Sequence, residues 1–338
     1  MIGSTGEGRA ALTRLHRLAI FTALLSLTAL VLGFLGRWLW PFDLLNHFRV
    51  HCVAVLVIAA IVLLGLRDWK NGIVGVLAAA IAAIPLFDYL APRGLTPLQS
   101  ATEPSLRVLS LNVWFRNEDM ARIADYLATS GADIAVLQEI SEHQGRLLHA
   151  ALEMYPHAYV QGASESDAVV FSRWPIAAAE TVQLSADGVS AIRVTLEWEA
   201  RPITLVAAHL HWPIGSRSSD RRNAELAGLA VFAQSHADPL LMLGDFNITP
   251  WSPHFRAFLD ASGLHDCARG HGLDPTWPSQ IIALGIRIDH CFASPHWRTL
   301  DARVGPSVGS DHRPMLVELQ LANAGQEDLS PSTPGSQR

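Results

Sequence analysis

The sequence predicts an α+β domain preceded by three membrane-spanning helices. Three observations carry that prediction. Half of the 338 residues are hydrophobic and only 17% are charged, whereas a soluble globular chain carries charge on about a quarter of its residues. The surplus apolar residues lie before residue 91. From Leu106 onward short β-like runs alternate with a few helix-like segments, and most connections are too short for the crossovers of a regular parallel sheet.

Residues 1–17 read as a cytoplasmic tail and 18–91 as the three spans. The run 18–36, "LAIFTALLSLTALVLGFLG", holds no charge and matches the length needed to cross the hydrocarbon core. Trp38 and Trp40 follow it as interfacial aromatics. Its apolar core is too long for a signal peptide, and no A-x-A-type cleavage site follows directly. The second run is 50–66, closed by Arg67, Asp68, Trp69 and Lys70; the third is the alanine-rich 72–87, ending at Pro85 and Asp88. Helices of a soluble bundle would show a polar face, which these runs lack. Arg9, Arg14 and Arg17 before the first run, and Arg67 and Lys70 between the second and third, outweigh Arg37 and Arg49. That bias places the N-terminus inside and everything after the third span outside the cytoplasm.

Residues 92–105 are a linker by composition, 106–321 the domain, and 322–338 a polar, Ser- and Pro-containing tail expected to be disordered. Eight β-like runs mark the domain: "RVLSLNVW", "DIAVLQEI", "DAVVFS", "AIRVTLEW", "ITLVAAHL", "LLMLGDFN", "RIDHCFAS" and "PMLVELQL". "DMARIADYLATS" and "RRNAELAGLAVFAQS" show helical spacing. The net charge of −6, without a long basic block, argues against avid non-specific binding of nucleic acid, although a weakly bound nucleic-acid substrate stays open. Three cysteines without C-x-x-C spacing indicate neither a zinc knot nor a redox pair; free thiols are expected, with a Cys267–Cys291 bridge the other option.

Polar residues fall at the ends of the apolar runs. Asn112, Glu139 and His209 end three of them, Asp245 and Asn247 end "LLMLGDFN", Asp289 sits in "RIDH", and Asp311 and His312 form "SDH". Each has a structural reading by itself: a turn cap for Asn112, a helix start for Glu139, an Asx turn for Asp245, an Arg287 partner for Asp289, a hydrogen-bonded histidine for His209 or His312. Together they describe a platform of carboxylates, amides and imidazoles at one edge of a packed core. Asp245 and Asn247 straddle Phe246, so strand alternation predicts that both point to one side. By the same rule His290 points away from Asp289's side and receives no role. His211 reads equally as a substrate contact or a surface histidine. Arg217, Arg221 and Arg222 either attract an anion or form a solvated helix start, and Trp212, Trp251 and Trp277 line a cleft or pack in the core or rim.

The segments "LSLNVW", "VLQEI", "AAHLHWP", "GDFNITP", "RIDHCF" and "GSDHRP", in this order, resemble the endonuclease/exonuclease/phosphatase superfamily over residues 106–320. That superfamily includes deoxyribonuclease I-like nucleases, neutral sphingomyelinases and inositol-polyphosphate phosphatases. The resemblance implies a four-layer α/β/β/α sandwich with the site at one end of the two facing sheets. It implies that Asn112 and Glu139 hold Mg2+ or Mn2+, with Asp311 adding a ligand or a water-mediated contact; hard oxygen donors suit these ions. It further implies that His312 contacts the scissile phosphate and Asp289 orients it. Asp245 aligns or deprotonates the attacking water, Asn247 binds a phosphoryl oxygen, and His209 is the second histidine. The expected protein is a membrane-anchored, metal-dependent phosphoesterase acting on a lipid head group or a nucleic acid. A nuclease outside the cytoplasm and an inactive interaction or sensing domain are the rivals.

Overall fold

A computed structural model describes residues 4–92, 104–160, 168–186 and 188–322. Most of the expected linker (93–103) and tail (323–338) lies outside the described residues.

The N-terminal region consists of α1 (Ser4–Gly33), α2 (Trp40–His47), α3 (Arg49–Gly65), α4 (Trp69–Ala83) and the short α5 (Phe87–Leu90). Glu7–Arg37 and Trp69–Leu90 are each long and apolar enough to cross a membrane. The middle segment departs from a straight second span: α2 and α3 meet at a 61° bend. The chain there is not uniformly apolar. Pro41 stands in the first turn of α2, and Asp43, Asn46 and His47 are buried in it. Asn46 Nδ2 donates to Gly33 O at 2.9 Å, tying α2 back to the end of α1. The helices pack through small residues, as membrane helices do: a Cβ added at Gly75 would meet the Ala60 Cβ at 3.1 Å. Large apolar side chains such as Phe21, Leu24, Ile61 and Ile81 face outward.

The domain follows as β1 (Leu106–Asn112), α6 (Met120–Ser130), β2 (Ile134–Gln138), α7 (Glu142–Ala151), β3 (His157–Val160), β4 (Val169–Ser172), β5 (Ile176–Gln183), β6 (Ser190–Trp198), β7 (Arg201–His209), α8 (Ser216–Gln234), β8 (Leu240–Asp245), α9 (Pro253–Ser262), β9 (His265–Asp266), β10 (Asp289–Ala293), β11 (Trp297–Val304) and β12 (Met315–Leu321). They form two six-stranded sheets, ordered β11-β12-β1-β2-β4-β3 and β5-β6-β7-β8-β10-β9. One apolar cluster fills the space between the sheets, with Val108, Val136, Leu205, Leu243 and Val317 fully buried. A second lies between α8, α9 and the second sheet around Leu229, Phe246, Phe255 and Phe292. A third lies between α6, α7 and the first sheet around Leu109, Ile123, Leu148 and Phe171. The result is the four-layer α/β/β/α sandwich.

Two connections are crossovers after all. The pairs β1/β2 and β7/β8 are parallel, and each is bridged by one of the two helices legible from the sequence, α6 or α8. The remaining pairs are antiparallel, so both sheets are mixed. All three cysteines are unpaired.

The helical region is fastened to the domain. Tyr89 Oη donates to Asp266 Oδ2 at 2.8 Å, and its ring packs edge-on against Trp251. Arg222 Nη2 on α8 donates to Asp43 Oδ2 on α2 at 2.9 Å, with both side chains essentially shielded from solvent.

Candidate active site

Strand register assembles the site. In the second sheet His209 pairs with Asp245, and Asp245 pairs with Asp289, so three adjacent strands present these side chains at one edge. In the first sheet Asn112 pairs with Gln138, which places Glu139 one residue beyond the same edge. Gly244 makes the approach possible: its φ is +150°, and a Cβ there would fall 1.7 Å from Ala208 O.

Asn112 is fully buried. Its Nδ2 donates to Glu139 Oε1 at 2.9 Å and Asp245 Oδ2 at 3.2 Å, while Oδ1 accepts from Trp114 N at 3.0 Å. Glu139 follows β2 with a left-handed φ of 54°, and its second oxygen accepts from Phe115 N. His209 Nε2 lies 3.7 Å from Glu139 Oε1 and 3.9 Å from Asp245 Oδ2. Asp289 Oδ2 accepts from His312 Nδ1 at 2.8 Å, and His312 Nε2 lies 3.7 Å from Asp245 Oδ2. Ser310 Oγ donates to Asn112 O and accepts from His312 N, joining the His312 loop to β1.

Asn247 reaches the site by a route other than strand alternation. β8 ends at Asp245, and Asn247 has a left-handed φ of 50°. A turn positions it, with Asn247 N donating to Asp245 Oδ1 and Asn247 Nδ2 to Leu210 O. Asp311 faces the same cavity, but its Oδ2 accepts from Trp277 Nε1 at 3.1 Å. His290 turns to the other side of β10 among the phenylalanines under α9, with Nε2 2.8 Å from Ile248 O.

Burial pushes the Asp245 carboxyl up to about 6, the Asp289 charge adds to it, and His312, His209 and the Asn247 N–H pull the other way. Burial would lower His312, but Asp289 in contact, then Asp245 and Asp311, outweigh it and hold the imidazole at about 9. His312 is therefore a cation at neutral pH beside a carboxylate that ionises only near pH 6.

Two places suit a divalent cation. Asp245, Asp289 and His312 each offer a ligand atom within 4.8 Å of one another. An imidazolium has no lone pair to give, so that trio works better as a charge relay. The other place is the point where Asn112 Nδ2 bridges Glu139 and Asp245. There the Glu139 carboxylate and the Asn112 carboxamide, which can turn its oxygen inward, are hard donors fitting Mg2+ or Mn2+. Asp311 Oδ1, buried with no hydrogen-bond partner among the described residues, is a further donor nearby.

Glu139, His209, Asp245, Asn247, Asp311 and His312 form the floor of a cavity of about 690 Å³, with Asn112 and Asp289 buried behind it. Its walls are largely apolar and include Trp114, Phe115, Trp212, Ile214, Trp277 and Ile286. Two features escaped the sequence reading. Glu225, fully buried on α8, accepts from the His211 backbone N–H and lies 2.5 Å from His211 Nδ1, fixing that ring at the cavity wall. Arg222 neither meets solvent nor faces the cavity; it pairs with Asp43 and donates to Asn247 O. Nothing in a single helical segment marks which of three arginines will find a carboxylate on a distant helix.

Residues 109–312 match the Endonuclease/Exonuclease/phosphatase family. The chain belongs to that family. Members of the Endonuclease/Exonuclease/phosphatase family are generally phosphoester hydrolases. Among curated relatives, the chain is 27% identical over 201 residues to a putative neutral sphingomyelinase of Caenorhabditis elegans and 29% identical over 192 residues to sphingomyelin phosphodiesterase 2 of Mus musculus. Each alignment covers 48% of this chain and 46% of the relative, so the chain spans about half the length of the curated relatives it matches. An endonuclease/exonuclease/phosphatase from Beutenbergia cavernae shares the fold at 22% identity, with a TM-score of 0.55 over 64% of this chain and 72% of that one.

Proposed function

We propose that this protein is a membrane-anchored, divalent-metal-dependent phosphodiesterase whose substrate is a lipid head group. The observation that carries the reading is the convergence of Glu139, His209, Asp245 and His312 on one cavity, with Asn112 buried in contact with Glu139 and Asp245 and Asp289 buried in contact with His312. Glu139 and Asn112, joined by Asp311, would hold Mg2+ or Mn2+, which offsets the charge growing on the phosphoryl oxygens when bound.

The protein's own groups do the rest. Asp245, once ionised, accepts a proton from water at Oδ2 and orients it for in-line attack. His312, held as an imidazolium by Asp289, donates from Nε2 to a phosphoryl oxygen. Asn247 sits on a turn fixed at two points, suited to a second phosphoryl contact. His209, beside both Glu139 and Asp245, stands where it can give a proton to the departing alkoxide.

Three features favour a lipid over a nucleic acid: the apolar cavity walls, the apolar N-terminal helices, and the net charge of −6. The two curated relatives bear sphingomyelinase names. With α1, the α2–α3 segment and α4 as three crossings, the N-terminus lies in the cytoplasm and the domain outside it. Full-length protein in nanodiscs, offered a choline phosphodiester lipid in vesicles, double-stranded DNA and a phosphomonoester, should cleave the lipid best and only with added metal. Preference for DNA would replace the lipid reading with the nuclease one. A reporter fused after Ala322 tests the orientation: activity in the cytoplasm would reverse it.

A further inference from the structure

Helix α2 does more than connect two spans. Leu44, His47 and Phe48 form one wall of the cavity whose floor holds Asp245 and His312. The facing walls come from the domain, and several of their apolar side chains are exposed: Phe115 at 65%, Trp212 at 62%, Ile214 at 58%, with Phe48 at 44% on the α2 side. A phosphodiester needs only the polar floor. Apolar side chains held in water around such a floor call for an apolar occupant.

The wall is fixed in place. Asp43, one residue before Leu44, is tied to Arg222, which also donates to Asn247 O. Asn46, two residues beyond Leu44, is tied to Gly33 O. The same arginine thus holds the α2 wall and the turn carrying Asn247. The 61° bend sets α2 off the axis of α3, and the Asp43–Arg222 pair holds α2 against the domain. From the N-terminal region, Leu44, His47 and Phe48 line the cavity.

We propose that the membrane helices are part of the substrate-binding site: Leu44 of α2 and Phe48 at the α2–α3 bend, with Trp212 and Ile214 of the same cavity, form a subsite for the long apolar ester group of a membrane phosphodiester lipid. The proposal rests on the phosphodiesterase reading above and adds the residues that recognise the substrate's apolar part. Of these, Leu44 and Phe48 belong to the N-terminal region, outside the segment 109–312 that matches the family.

The test uses full-length protein in nanodiscs with saturating Mn2+ and a series of alkyl p-nitrophenyl phosphates from methyl to dodecyl. The leaving group is constant, so only the alkyl ester varies. The readout is the kcat/KM of the dodecyl ester divided by that of the methyl ester. Wild-type protein should give a ratio of about tenfold or more, and Phe48→Ser or Leu44→Ser should lower it by about tenfold, the scale of lost apolar contact in a pocket. Val231→Ser, an exposed position on α8 outside the cavity, should keep the wild-type ratio, which removes partitioning into the nanodisc as a cause. A flat series in the wild type, or an unchanged ratio in both the Phe48 and Leu44 variants, overturns the subsite while leaving the phosphodiesterase intact. Failure to cleave even the methyl ester would instead remove the phosphodiesterase reading itself. Phe48 is half exposed, so its serine variant keeps the fold; matching elution profiles check this.

Discussion

Asp289 Oδ2 and His312 Nδ1 lie 2.8 Å apart and join the two sheets. Asp289 opens β10 in the second sheet, and His312 sits three residues before β12 in the first. The carboxylate is fully buried and its other oxygen has no hydrogen-bond partner among the described residues. Its charge is therefore committed to one imidazole, so the Asp289–His312 contact sets the charge state of the site.

The pH profile follows from that pair and from Asp245. Asp245 must be ionised, so activity rises as pH passes about 6. His312 must be protonated, so activity falls as pH passes about 9. The expected profile of kcat/KM is a plateau between those limits. Asp289→Asn removes the largest influence holding the imidazole up, and burial then lowers it. The basic limb should move to lower pH, and activity at pH 8 should fall by about 100-fold or more. An unshifted basic limb in Asp289→Asn would show that this contact does not set the proton on His312.

Metal dependence should reside in Glu139 and Asn112. EDTA should abolish turnover and Mg2+ or Mn2+ restore it. Glu139→Ala should lower turnover by about 100-fold or more at limiting metal, several kcal/mol of charge stabilisation. Calorimetric titration of the variant with Mn2+ should show weaker binding than wild type; equal affinity would place the ion elsewhere, with the Asp245, Asp289 and His312 trio as the next choice.

Gly244 should tolerate no side chain. The Cβ of Gly244→Ala would lie 1.7 Å from Ala208 O, so β7 and β8 must separate just where His209 and Asp245 pair. Loss of about 2 kcal/mol or more is expected, with the melting temperature and turnover falling together. A stable, fully active variant would mean that this edge has slack the packing does not show.

Asp43→Asn should loosen the helical region from the domain. Removing one partner of a buried ion pair costs about 3–5 kcal/mol, because the other charge is left without its counter-ion. Arg222 also donates to Asn247 O. A lower kcat is therefore expected along with faster proteolysis of the segment joining helices and domain. Unchanged proteolysis would separate the ion pair from the docking of the helices.

The sandwich, and the convergence of most candidate site residues at one edge, could be read because their signals are local. Eight strands announced themselves as apolar runs, and residues at or just beyond the ends of several of them meet at one edge. Strands β3, β5, β9 and β11 were missed. These four are the edge strands of the two sheets, and half-exposed segments such as "IAAAETVQ" lack an apolar signature. Asn247 was assigned to the right cavity for the wrong reason, since alternation ends with the strand and a turn supplies the geometry. The second run, 50–66, matches α3, but the helix α2 before it and the bend between the two went unread, although Asp43, Asn46 and His47 were visible polar residues. The Arg222–Asp43 pair, 179 positions apart, could not be read at all. Nothing local distinguishes a buried arginine from its solvated neighbours.

The most direct test of the central claim is the hydrolysis of bis-p-nitrophenyl phosphate by full-length protein in nanodiscs, wild type against His312→Ala, with Mn2+ and with EDTA. The predicted result is metal-dependent turnover that falls by about 100-fold or more in the variant. Turnover that survives EDTA, or that His312→Ala leaves unchanged, would contradict it.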